Sequence, residues 1–165
     1  MSSGLVISDS GPIFSLAIVD CLYILDTLFN EIVIPKAVWN EISKDKSFSY
    51  YPIIEKYFKS KVKEISTSNN LIFIMDYGES EALILYEELT ADFLLIDDKK
   101  ARAIAESFGA NCIGTIGVLS IAKSQGIIEE LKPIFEMFLN QRRFYSKKLL
   151  NSILKKHNEQ EIDIL

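Results

Sequence analysis

Leu5-Val6-Ile7-Ser8-Asp9 is an unbroken, largely apolar run that ends in an acid, and the pattern returns at Phe93-Leu94-Leu95-Ile96 before Asp97-Asp98. A strand with one face in water alternates apolar and polar residues, whereas a run that is apolar throughout suits a strand covered on both faces, as in a parallel sheet between helices. Ile32-Val33-Ile34 and Asn111-Cys112-Ile113 read as further short strands, and Val62 to Ile65 as a weaker, alternating one. Ser10-Gly11-Pro12 reads as the stop of the first strand. Between strands the apolar residues change to helical spacing: Leu22, Leu25, Leu28 and Phe29; then Val38, Trp39 and Ile42; then Ala82, Leu85, Tyr86 and Leu89; then Ala101, Ile104, Ala105 and Phe108. Pro35 suits the opening of one helix, where its missing N–H costs nothing, and Gly109 suits the close of another. Residues 48–60 also read as helical, and 71–75 fit strand or helix equally. Strands alternating with helices predict an α/β three-layer sandwich around a mainly parallel five-stranded sheet.

The chain of 165 residues, 48% of them hydrophobic, fills one core and is too short for two domains of ordinary size. Within that single domain, residues 1–126 read as the core. Residues 127–165 read as a helical extension, with an apolar stripe over 127–139 and another at Leu149, Leu150, Ile153 and Leu154. No apolar stretch approaches the ~18–20 residues of a membrane-spanning helix, and the N-terminus lacks the basic region of a signal peptide. The expectation is a soluble, cytoplasmic protein with no membrane partner.

His157 is the only histidine, and its lysine-rich surroundings predict a solvated side chain. Ser-His-Asp and Cys-His catalysis and imidazole-based zinc sites therefore have no basis. Cys21 and Cys112 lie far apart without CxxC spacing and read as buried thiols. No GxGxxG or GK[ST] motif marks a nucleotide-cradling loop. The net charge of −5 is unevenly spread. Arg142, Arg143, Lys147, Lys148, Lys155 and Lys156 fall in an acid-free stretch from Met137 to Asn158, a basic arm on an acidic body.

What remains is carboxylate chemistry. Ligands bind parallel sheets beyond the carboxyl ends of the strands, and two strands end there in acids, Asp9 and Asp97-Asp98. Glu41 sits at the border of a buried helical stripe, and Glu79 and Glu81 follow Gly78 at a helix start. Each acid has an ordinary structural use as a helix cap or a partner of the helix dipole. Together on one rim they would repel one another and raise each other's pKa, a cost that a hard divalent cation removes. Mg²⁺ and Mn²⁺ take oxygen ligands and bridge to phosphate, so the pattern points to metal-assisted phosphodiester hydrolysis.

Four segments in order, Val6-Ile7-Ser8-Asp9-Ser10, Ile32-Val33-Ile34-Pro35 with Val38-Trp39-Asn40-Glu41-Ile42, Gly78-Glu79-Ser80-Glu81-Ala82, and Leu94-Leu95-Ile96-Asp97-Asp98-Lys99-Lys100-Ala101-Arg102, resemble a PIN domain. The resemblance is to a prokaryotic branch similar to VapC-type toxins. It covers about residues 5–125, with family-like helices to about 150. It implies that residues 1–126 form a nuclease core with a Mg²⁺- or Mn²⁺-dependent ribonuclease activity. It also implies RNA as substrate, homodimerisation, and inhibition by a small antitoxin protein.

By the same resemblance Asp9, Glu41, Glu81 and Asp98 match the catalytic acids, with Asp97 a further metal ligand and Glu79 a close double of Glu81. Position 81 carries Glu where the commoner pattern has Asp. Ser10 and Thr115 stand where hydroxyls support the metal or phosphate, against their ordinary uses in a turn and at a helix start. Lys99, Lys100, Arg102, Lys147 and Lys148 are the candidate RNA contacts, against solvated helix faces. A second reading keeps the fold as a catalytically silent scaffold binding RNA or protein. A receiver domain, which also clusters acids on Mg²⁺, fits poorly because the acid pair here follows the fourth strand.

Overall fold

In a computed structural model, described over residues 3–143 and 145–163, five parallel strands form one sheet in the order β3-β2-β1-β4-β5. Residues 1, 2, 144, 164 and 165, which touch the readings of the N-terminus and of the C-terminal extension, lie outside the described residues. The strands are β1 (Leu5–Ser8), β2 (Glu31–Pro35), β3 (Val62–Lys63), β4 (Phe93–Leu95) and β5 (Cys112–Ile113). Register pairs Val6 with Ile32 on one side of β1 and with Phe93 on the other. Neighbouring residues of each strand divide between two cores. Val6, Ile32, Ile34 and Leu95 belong to one, and Ile7, Val33, Leu94 and Ile96 to the other. That two-residue period, with both faces apolar, is why the strands read as continuous apolar runs.

The helices are α1 (Ser10–Ile18), α2 (Tyr23–Leu28), α3 (Lys36–Ser43), α4 (Tyr51–Phe58), α5 (Tyr77–Glu88), α6 (Lys99–Ser107), α7 (Thr115–Ser124), α8 (Lys132–Asn140) and α9 (Lys147–Lys156). Helices α5 and α6 cover one face through Ala82, Leu83, Leu85, Ala101 and Ala105. The others fill the opposite layer, where Phe58, Phe135, Phe138, Leu150 and Leu154 are fully buried. The C-terminal extension is thus built into the main core. No helix of the described residues is long and apolar enough to cross a membrane.

Several local expectations are corrected. Ser10-Gly11-Pro12 does follow the end of the first strand at Ser8, but it also opens a helix that the pattern did not show: the first N–H groups of a helix have no partner within it, so Pro12 sacrifices nothing in the first turn. The 127–139 helix begins only at Lys132, behind Gly126 at φ +73°, and Pro133 occupies its first turn. Glu159 accepts the Leu131 and Lys132 amides at 2.9 Å, capping that start. Residues 71–75 are neither strand nor helix but a turn in which Ile74 and Met75 donate to the Leu71 carbonyl, leaving Phe73 87% exposed. His157 is half-buried, its Nε2 2.8 Å from Ser120 Oγ, and is not a solvated side chain. Cys21 is buried and Cys112 only half so.

Candidate metal centre

The chain leaves β1 for β2 and β3 on one side and then crosses to β4 and β5 on the other. The crevice of a doubly wound sheet opens where the order reverses, here between the carboxyl ends of β1 and β4. Asp9 stands at that point, its N–H donating to the Leu95 carbonyl at 2.9 Å. The side chain is 8% exposed. Burial, with the charges of Glu41 and Glu79, pushes its carboxyl from the ordinary 3.8 up to about 7, while the Ser10 and Gly11 amides pull it back. A Cβ on Gly11 would stand 3.9 Å from Asp9 Oδ2 and 3.9 Å from Asp97 Oδ2, so the first turn of α1 touches both carboxylates.

Glu41 projects from α3 and packs on the backbone of α5 at Gly78. Glu79 lies in the first turn of α5 and completes a capping box with Asp76, whose N–H it accepts at 3.2 Å. Its carboxyl is raised by burial first, then by the charges of Asp76, Asp98 and Glu41. Asp9, Glu41, Glu79 and Asp98 are therefore electrostatically linked in sequence around one crevice.

The remaining acids are held by helix starts. Asp98 caps α6, Oδ1 accepting the Ala101 amide at 2.8 Å. Asp97 receives the Thr115 N–H on Oδ1 and the Thr115 hydroxyl on Oδ2, each at 2.7 Å, at the start of α7. Tyr145 also donates its hydroxyl to Asp97 Oδ2 at 2.7 Å. Glu81, in the second turn of α5 and 7% exposed, accepts the Ala37 amide in the first turn of α3 at 2.9 Å. The resemblance favoured Glu81 over Glu79, but Glu79 is the one whose charge acts on Asp9. Carboxyl ends of parallel strands lead directly into helix N-termini, so the acids gather where partial positive charge also gathers, offsetting part of their repulsion.

Among the described residues the only ion pair is Lys123 with Glu159, so none of the crevice acids is held in an ion pair. A hard cation with oxygen ligands fits this donor set, which offers carboxylates and hydroxyls and no imidazole or thiol. No three acids of the described residues stand close enough to enclose an ion directly. Mg²⁺, which keeps several of its waters, matches such spacing better than a cation that sheds them.

The candidate RNA contacts differ among themselves. Lys99, Lys100 and Lys148 are exposed. Arg102 is turned inward, donating to the Ile96 carbonyl at 3.2 Å and lying against Gly114, with Nε buried and unpartnered. Lys147 is half-buried and reaches the Asp163 carbonyl at 3.4 Å. Ser10 is the first residue of α1, and Thr115 is fully buried.

Sequence reasoning missed the strap that closes the rim. Tyr145 OH lies 2.7 Å from Ser15 Oγ as well as from Asp97, and burial with the Asp97 charge pushes its phenol up to about 12. Arg143 donates Nε to Ser15 Oγ at 3.0 Å and a terminal N–H to the Gly11 carbonyl at 3.3 Å. The only signal available was the acid-free stretch that contains both.

Nothing among curated proteins or solved structures matches the chain. A family model described as PIN domain matches residues 5–159. With the strand order, the switch-point acids and this match spanning nearly the whole chain, the protein belongs to the PIN domain family.

Proposed function

We propose that this protein is a metal-dependent endoribonuclease that hydrolyses RNA phosphodiester bonds in the cytoplasm, as the toxin of a toxin–antitoxin pair of VapC-like type. PIN domains are generally nucleases and typically bind Mg²⁺ or Mn²⁺. The observation that carries the reading is Asp9 at the switch point, its pKa raised by burial and further by Glu41 and Glu79, with none of these acids in an ion pair among the described residues. Asp9, Glu41, Glu79 and Asp98 would hold the ion in part through waters that it keeps, with Glu81 and Asp97 orienting helix starts beside it. A divalent ion bound there supplies charge stabilisation at the phosphate and activates water. Lys99 and Lys100, at the exposed start of α6, and Lys148 on α9 meet the RNA backbone. Cleavage of RNA by the wild type with Mn²⁺, abolished by EDTA and by Asp9→Asn, is the result expected; equal cleavage by Asp9→Asn refutes the site.

The silent-scaffold reading draws on one observation, that Asp97, Asp98 and Glu81 already accept structural hydrogen bonds. It predicts no rise in melting temperature with Mn²⁺. The antitoxin and the homodimer belong to the proposal and are checked together by solution mass, alone and after co-expression with the adjacent gene.

A further inference from the structure

Beside the acid crevice a cavity of about 710 Å³ opens between α1, α3, the 44–50 loop and the turn after α8. Its lining includes the aromatics Phe14, Phe48 and Tyr50, the cations Lys44, Arg142 and Arg143, and the acids Asp45 and Glu41, the last shared with the acid crevice. The volume lies within the range of small-molecule sites, about 300–1,000 Å³. The aromatics form a connected set: Phe14 meets Phe48 edge-on at 5.7 Å between centroids, and Phe48 meets Tyr50 at 5.4 Å. All three are only half-buried.

The cationic wall is fixed by the backbone. Helix α8 ends in a Schellman turn, with the Arg142 amide on the Leu139 carbonyl and the Arg143 amide on the Phe138 carbonyl. Arg142 occupies the left-handed position at φ +55°, where glycine is the unstrained choice. An exposed arginine at that position sacrifices stability and lines the cavity. Arg143, anchored on Ser15 and Gly11, joins the cavity to the first turn of α1, the same turn that touches Asp9.

We infer that this cavity is a nucleotide subsite: it seats one base of single-stranded RNA against Phe14, Phe48 and Tyr50 and an adjacent phosphate on Arg142 and Arg143. The inference rests on the ribonuclease reading for the direction of the strand, which runs past Glu41 into the acid crevice. Aromatic faces bind any base by stacking, and arginine matches phosphate geometry, so the subsite recognises a stacked nucleotide rather than a duplex. It gives the enzyme a fixed distance between a held base and the bond facing the acids.

The test is binding of a fluorescein-labelled, random-sequence RNA hexamer to the full chain in EDTA, where no cleavage occurs, across a salt series. Arg142→Gly should melt at or above the wild-type temperature, because the left-handed residue becomes glycine, yet bind at least fivefold more weakly. Its salt slope should be shallower by about 0.7, one phosphate contact on a single strand. Phe48→Leu should bind at least fivefold more weakly with the slope unchanged. A wild type that does not bind the hexamer, or an Arg142→Gly protein that binds as wild type does, overturns the subsite. Cleavage is scored separately with Mn²⁺. A protein that binds through Arg142 and never cleaves removes the ribonuclease reading alone, and one that cleaves but binds independently of Arg142 removes the subsite alone.

Discussion

The carboxylate of Glu41 occupies the space that a side chain on Gly78 would need. Gly78 is buried in the first turn of α5, so the bare backbone there is what lets a glutamate from α3 lie beside the acids of the neighbouring helix.

Gly78→Ala should therefore displace Glu41 without unfolding the protein. The obstructing atoms are the far end of a flexible, exposed side chain, and alanine in a helix is about 0.5–1 kcal/mol better than glycine. Mn²⁺-dependent RNA cleavage should fall at least tenfold while the melting temperature stays within a few degrees of wild type. Cleavage at the wild-type rate would show that Glu41 does not act where it lies.

Asp9→Asn should stabilise the metal-free protein. The folded carboxyl, at about 7, holds its proton more tightly than the unfolded one at 3.8. The stability linked to this proton is fully present below about pH 4 and is lost as pH rises through 7. In EDTA at pH 8 the amide should be more stable than wild type by an amount on the order of a few kcal/mol, and the gap should close toward pH 4. A gap that does not change with pH contradicts the assignment.

Glu79→Gln and Glu81→Gln separate the two glutamates that sequence pattern alone pairs. Glu81→Gln keeps an acceptor for the Ala37 amide and should leave the Mn²⁺-induced rise in melting temperature near its wild-type size. Glu79→Gln removes a charge that acts on Asp9 and should shrink it. Saturation at a hundredfold excess over Kd corresponds to about 2.7 kcal/mol, well within the reach of thermal denaturation. The reverse ranking would return the metal to Glu81.

Tyr145→Phe deletes the hydroxyl shared by Ser15 and Asp97. Loss of a buried hydrogen bond costs about 1 kcal/mol, and more where an acceptor is charged. Chemical denaturation should show a loss of about 1–3 kcal/mol, and Thr115→Val should add to it less than independently because both serve the same carboxylate. Strict additivity would mean that the two hydroxyls act separately.

The strands and their acids were legible because both faces of the sheet are covered and because a strand's last residue must project at the rim. Glu41 was legible from its place beside Val38 and Trp39. The choice between Glu79 and Glu81 was not, since adjacent turns of α5 aim them at different partners, a capping box in one instance and the start of α3 in the other. Helix α1 was hidden by Gly11-Pro12, which looks like punctuation until its N–H groups are seen to need no partners. The contacts of Tyr145 and Arg143 with Ser15 were invisible because they join residues more than a hundred positions apart, beyond any local pattern.

The Ser15–Tyr145 contact closes a loop of 130 positions, yet loop-closure entropy grows only with the logarithm of length, so the long reach itself adds little to the free-energy cost. Its effect is on timing. During synthesis β1 and the Asp9 corner leave the ribosome long before Tyr145 exists to grip Asp97. The rim is completed only when Arg143 reaches Ser15 and Tyr145 reaches Asp97, so a chain still being made carries its acids before that geometry exists.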